Sequence, residues 1–181
     1  MIRPVQVEEY PAICAALTAL APWVRLNISA EHLLINLCND PQRRVLAYDV
    51  DGEAAGALIY WTKGCTEMLF QRGFGQPLAV RHGVPWPCQW TDVPESGYIG
   101  SLGVFSAEHR GHGIGRKLLE HAERLLADEG HRFVRLQVSD FNDSARSLYT
   151  RCGYEVVGHV PDCIVPGYGE YLMEKPMRAP R

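Results

Sequence analysis

One segment constrains the fold of this chain more than any other. The run Arg110-Gly111-His112-Gly113-Ile114-Gly115 lies between an apolar stretch that reads as a strand, Tyr98 to Phe105, and an amphipathic stretch that reads as a helix. Three glycines at alternate positions remove the side chains that would hold a ligand away from the backbone. Their N–H groups fall where the first turn of a helix leaves its donors unpaired. A strand, a glycine turn and a helix in this order predict a phosphate cradle, because a pyrophosphate there gains both hydrogen bonds and the positive end of the helix dipole. A turn that only joins strand to helix needs one glycine rather than three.

The spacing excludes two familiar cradles. A dinucleotide fingerprint reads G-x-G-x-x-G with an acidic residue about 20 positions later, whereas here the spacing is G-x-G-x-G and the later region is Gly130-His131-Arg132. A P-loop needs Lys-Ser/Thr after its last glycine, and Gly115 is followed by Arg116 and Lys117.

The surrounding periodicities predict a mixed α/β domain. Residues 2 to 7 read as a first strand, and Glu8 to Leu20 as a helix with Pro11 in its first turn. Ser29 caps a second helix that stops before Asp40-Pro41. Val45 to Val50 and Ala54 to Thr62 form a hairpin about Asp51-Gly52, a pair suited to a tight two-residue turn. After the cradle, Ile114, Leu118, Leu119, Ala122, Leu125 and Leu126 make an apolar helical face, and Lys117, Glu120, Glu123 and Arg124 make the solvated one. Arg132 to Ser139 alternates as a strand, Asn142 or Asp143 caps a further helix that Gly153 ends, and two closing strands follow at about 154–160 and 168–177.

Residues 63 to 96 interrupt this pattern with a long Gly-, Pro- and aromatic-rich connection, in which Thr66 to Arg72 reads as one short helix. An insert that covers core surface and one that binds substrate are equally open. With no internal repeat and no linker, residues 1 to 181 are expected to form one domain carrying this insert.

Composition narrows the function. A net charge of −3 and the lack of a basic run with interleaved aromatics argue against a nucleic-acid partner. No apolar run approaches the ~20 residues of a membrane span, and the start leads into no signal-like segment, so a cytoplasmic protein is expected. The six cysteines include no C-x-x-C pair, so no metal site is expected. Cys14, Cys38 and Cys152 fall on apolar helical faces and read as small buried thiols.

The cradle and its surroundings resemble the acetyl-CoA-binding motif of the GNAT superfamily of N-acetyltransferases, Q/R-x-x-G-x-G/A after a strand, which Arg110, Gly113 and Gly115 match. A second motif of that family, N-x-x-A-x-x-L/F-Y-x-x-x-G-F/Y, is matched from Asn142 through Ala145, Leu148, Tyr149 and Gly153 to Tyr154. The resemblance is strong from about Gly97 to Lys175, weaker over residues 1 to 61, and absent between about 62 and 96. It implies a central, mostly antiparallel twisted sheet of six or seven strands, splayed at the cofactor site, with about four helices on its two faces.

The resemblance also assigns roles. Acetyl-CoA is the implied cosubstrate, and the acceptor is a small-molecule amine or a protein N-terminus or lysine. The cradle Arg110, Gly111, His112, Gly113, Ile114 and Gly115 takes the pyrophosphate, with His112 contributing mainly its backbone N–H. Arg116 either approaches a phosphate or stays solvated. Backbone groups of Leu102, Gly103 and Val104 pair with the pantetheine arm, one N–H lying near the thioester oxygen. Asn142 either bonds the arm or only caps its helix. Tyr149 matches the tyrosine that protonates the leaving thiolate, although it also suits a core position. At unperturbed pKa values of roughly 10 and 8.5, phenol and thiol exchange a proton nearly in balance.

The general base is the open point. The nearest carboxylate to the position where many members carry a glutamate is Glu95, and His82, Asp92, His159, Asp162 and Glu170 compete with it. A non-catalytic acyl-CoA-binding sensor or interaction module is the alternative function. A homodimer through a sheet edge is also open.

Overall fold

The computed structural model describes residues 1–39, 42–62 and 96–177. In chain order the elements are β1 (Ile2–Pro4), α1 (Tyr10–Thr18), α2 (Ala21–Arg25), α3 (Ala30–Cys38), β2 (Arg43–Val50), β3 (Glu53–Trp61) and β4 (Ser96–Val104). The second half adds α4 (Ile114–Asp128), β5 (Phe133–Ser139), α5 (Asp143–Arg151), β6 (Glu155–Val160) and β7 (Glu170–Pro176). The strands form one seven-stranded sheet in the order β1-β2-β3-β4-β5-β7-β6. All neighbours run antiparallel except β4 and β5. Among the described residues no helix is long and apolar enough to cross a membrane.

Local chemistry accounts for most element ends. The Ser29 hydroxyl accepts from the His32 N–H at 3.1 Å and starts α3. Asp51 and Gly52 take φ of 50° and 86°, which gives the hairpin its tight turn. Gly130 and Gly153, at φ of 89° and 90°, supply the left-handed residue after α4 and α5.

Several boundaries shift from the sequence reading, and two of the shifts have a clear local cause. The first strand ends at Pro4, because the Gln6 N–H donates to Glu9 Oε2 at 2.9 Å and winds Val7–Glu9 into a 3₁₀ turn. The first helix ends at Thr18, and the chain restarts as α2 with Pro22 in its first turn. That extra helix makes five among the described residues, where about four were expected. The expected helix at 66–72 lies outside the described residues.

Both faces of the sheet are covered, so β3 is buried along most of its length rather than alternating with solvent. Leu58 and Tyr60 join the cluster under α4 with Leu118, Leu119, Leu126 and Met173. Ala57, Ile59 and Trp61 join the opposite cluster with Leu17 of α1 and Leu33 and Leu37 of α3. Each of these large apolar side chains contributes about 1.5–3 kcal/mol by leaving water. Two residues depart from their expected environment. Glu123 is buried and its Oε2 meets Lys175 Nζ at 2.6 Å, while Cys38 is exposed.

The sheet opens at its centre. Pairing of β4 with β5 runs from Ser96↔Phe133 only to Ile99↔Leu136. Beyond that point β5 continues against β7 as far as Ser139↔Glu170, and β4 continues against β3 as far as Gly56↔Val104. Partners on β3 step from Ile59↔Ser101 to Tyr60↔Ile99, so Gly100 is an extra residue bulged out of β4 where the two strands part.

Candidate active site

The glycine run folds as a cradle. Gly111 and Gly113 have φ of 80° and 79°, and Gly113 is the left-handed residue that starts α4. No side chain caps that helix, whose first regular bond is from the Lys117 N–H to the Gly113 carbonyl at 2.9 Å. The N–H groups of Ile114, Gly115 and Arg116 therefore have no acceptor within the helix. Gly115 has a different task, since a Cβ there would touch Leu148 at 3.4 Å and Leu102 and Val104 at 3.9 Å. Its lack of a side chain lets α4 lie close against β4 and α5.

A groove of about 1080 Å³ runs from the cradle to the strand opening. Leu102 to Val104 of β4, Arg110 to Arg116, Asn142 and Tyr149 all line it, which brings together every residue expected at the cofactor site. Past Ile99 the side of β4 that faces β5 has no strand partner, so its backbone groups are open to a ligand. Arg110 turns back along the groove, its Nε donating to the Val104 carbonyl at 3.3 Å. The His112 ring is exposed. Arg116 is exposed too and stands 3.7 Å from Glu120. Asn142 caps α5, its Oδ1 accepting from the Ala145 N–H at 3.2 Å, and still borders the groove.

A second cavity of about 160 Å³ lies on the other side of the opening. Leu26, Leu33, Trp61, Tyr98 and Val138 give it apolar walls, and Glu170 contributes a carboxyl. Groove and cavity share Leu20, Pro22, Leu102, Asn142, Ala145 and Tyr149. Tyr149 thus stands where the two meet. Its hydroxyl makes no hydrogen bond to any described residue, and burial pushes its pKa well above the usual tyrosine value. The near balance with a thiol expected at unperturbed values is therefore altered, although a thiolate forming in the same dry place is raised by the same desolvation.

The base candidates separate. Glu95, His82 and Asp92 lie outside the described residues. His159 Nε2 lies 3.5 Å from Asp140 Oδ2, and Asp162 Oδ1 accepts the Gly167 N–H. Neither His159 nor Asp162 borders the groove or the cavity. Glu170 does border the cavity. Only 2% of it is exposed, the Ser139 hydroxyl donates to its Oε1 at 2.5 Å, and it has no other hydrogen-bond partner among the described residues. Burial first, and then the charge of Asp140, push its carboxyl up to about 8 against the pull of the Ser139 hydrogen bond.

Trp61, Ser101 and Arg25 were not singled out as site residues in the sequence, and all three border the groove or the cavity. Arg25 stacks over Phe141 and Tyr168 at 4.2 and 4.6 Å and ties α2 to the opposite wall. For Glu170 a signal existed, because period two along β7 puts it on the same face as buried Leu172. An acidic residue on an apolar strand face is expensive unless it has a use.

Of the cysteines, burial raises Cys152, and the thiol borders neither the groove nor the cavity. That is the opposite of an activated nucleophile.

Comparison with known proteins points the same way. The profile of the acetyltransferase (GNAT) family matches residues 10–154. A 5-NmdU N-acetyltransferase of Pseudomonas phage PaMx11 is 41% identical over 57 residues, which are 32% of this chain and 38% of that relative. The match thus spans well under half of the curated relative. Among solved structures, the ribosomal-protein-S18-alanine N-acetyltransferase from Escherichia coli superposes with a TM-score of 0.65 at 16% identity, over 100% of this chain and 96% of that one. A nourseothricin acetyltransferase superposes with a TM-score of 0.55 at 22% identity, over 77% and 68%. At such identities these two structures speak to the fold alone.

Proposed function

Since this chain belongs to the acetyltransferase (GNAT) family, we propose that it moves an acetyl group from acetyl-CoA to a primary amine by direct attack within a ternary complex, as one domain with residues 63–96 as its insert. The observation that carries this reading is the meeting of two unlike spaces at Tyr149. One is a long groove with a glycine cradle at its end, and the other is a small apolar cavity with one carboxyl.

The groove fits acetyl-CoA chemically. Open N–H donors from Ile114 to Arg116, with Gly111 and Gly113 leaving the backbone bare, would hold the pyrophosphate, and Arg110 and Arg116 add positive charge. The unpaired side of β4 from Leu102 to Val104, with Asn142, would take the pantetheine arm as a further strand. Bound there, acetyl-CoA supplies an activated acyl group. The chain's own task is to polarise the carbonyl with a β4 N–H, keep water out, and provide a proton from Tyr149 to sulfur. The half-buried Cys152, whose pKa burial raises, supports direct attack over an acetyl-enzyme.

Calorimetric titration with acetyl-CoA, with free pantetheine beside it, tests the groove. Saturable binding that is lost without the pyrophosphate is expected. Initial rates against both substrates should give intersecting lines, and parallel lines would overturn the ternary complex. Tight binding with no turnover on any amine would favour a non-catalytic acyl-CoA-binding module instead.

A further inference from the structure

The cavity beside Tyr149 has a size and a charge that describe an acceptor. Given acetyl transfer as the reaction, on which the inference rests, we propose that the acceptor is a primary monoamine carried on a single apolar ring. Glu170 receives its ammonium group and takes the proton that must leave before attack.

Size comes first. The cavity holds about 160 Å³, and an apolar protein cavity of about 150 Å³ accommodates benzene. Its walls are stiff and aromatic. Trp61 meets Tyr98 edge to face with ring centroids 5.7 Å apart. Arg43 lies over the Trp61 ring at 4.4 Å, and Gly100 leaves that ring its space. Such walls suit a flat apolar body.

Charge decides against the alternatives. Among the described residues, Glu170 is the one carboxyl bordering the cavity, and Arg43 and His32 also border it. A polyamine would bring further ammonium groups to apolar walls and towards Arg43, where no second carboxyl among the described residues offsets their desolvation. A single ammonium has a partner.

The carboxyl is also well placed for the proton. Glu170 and Tyr149 border the same small cavity and Tyr149 borders the groove as well, so an amine held on Glu170 shares its space with the residue at the junction. The ammonium gives one proton to the Glu170 carboxylate, and the freed nitrogen attacks the thioester carbon. The C–S bond breaks with its electron pair on sulfur, and sulfur takes the Tyr149 proton. The new amide nitrogen returns its surplus proton to Tyr149, and Glu170 releases its own to solvent. The groups facing Glu170 are the Ser139 hydroxyl, Asp140 with His159 beside it, Tyr149 and the Cys163 thiol, with Arg43 and His32 on the same cavity.

The test compares benzylamine and phenethylamine with spermidine and lysine as acceptors, and native protein with Glu170→Gln and Ser139→Ala. Acetyl-CoA affinity is measured in parallel. Expected are kcat/KM values at least about tenfold higher for the ring amines, equivalent to 1.4 kcal/mol. In Glu170→Gln, kcat should fall about 100-fold with acetyl-CoA affinity kept. Activity of the native protein should rise with pH through about 8. Glu170→Gln should lose that limb, and Ser139→Ala should move it to higher pH, a readout that survives if the first variant folds poorly. Preference for spermidine or lysine, no turnover of the ring amines, or a pH limb unmoved in both variants would overturn the inference while acetyl-CoA still binds. Failure to bind acetyl-CoA would overturn the acetyl-transfer reading with it.

Discussion

A Cβ added to Gly100 would stand 2.5 Å from Cη2 of Trp61 and closer still to Cζ3, so the bulged glycine of β4 and the aromatic wall of the cavity occupy one space. Gly100→Ala should drive the indole into the cavity. Overpacking of this kind costs about 1–3 kcal/mol in urea unfolding, and KM for the amine should rise while acetyl-CoA affinity holds. An unchanged amine KM would mean that Trp61 does not bound the acceptor site.

Tyr149→Phe removes a hydroxyl that bonds to nothing among the described residues, so stability should stay within about 0.5 kcal/mol of native. If the phenol supplies the sulfur with its proton, kcat should fall about 100-fold. Calorimetry should still find acetyl-CoA bound. A variant that is fully active would return Tyr149 to a packing role.

At the cradle, Gly113→Ala meets no neighbour within 4 Å, yet its φ of 79° is one that L residues rarely adopt. The backbone penalty should be about 1–2 kcal/mol. Acetyl-CoA affinity should drop about tenfold or more, as the methyl group stands among the donors. Amine KM, measured at saturating acetyl-CoA, should not move.

Lys175 holds the buried Glu123 of α4 to β7 at 2.6 Å. Lys175→Met leaves that carboxylate in the core without its ion partner and should cost about 2 kcal/mol, since the lysine end is partly solvated. Adding Glu123→Gln should recover much of the loss in a double-mutant cycle. Additive losses would show that the pair contributes no coupling.

Stability should also depend on pH through Glu170. Burial raises its pKa from the ordinary 4.5 to about 8 in the fold, so between those values the native state holds a proton that the unfolded chain has lost. The stabilisation is full below pH 4.5 and disappears as pH rises through 8. Urea midpoints across that range should fall for the native protein, and Glu170→Gln should flatten the decline.

The sequence was a good guide wherever the cause of a structure lies within a few residues. The cradle, the Asp51-Gly52 hairpin, the Ser29 and Asn142 caps and the left-handed glycines after α4 and α5 all form where the residue types predict. It was a poor guide where a side chain's environment comes from elsewhere. Glu123 sits among helical positions that look solvated, and its burial follows from Lys175 arriving on β7. α2 was missed because five residues with a proline in the first turn carry too little periodicity to be seen.

Taken alone, the sequence determined that a backbone cradle follows a strand and that a tyrosine helix follows it, because glycine dihedrals, capping and hydrophobic period are local properties. The tertiary structure alone decided that β4 and β5 part at Gly100, and that Trp61, Tyr98, Tyr149 and Glu170 surround one small cavity there. Those residues come from four separate elements, and no local preference encodes their meeting. Their proximity follows from the order in which the strands pair and from burial on both faces of the sheet, which also makes the Glu170 carboxyl basic enough to hold a proton.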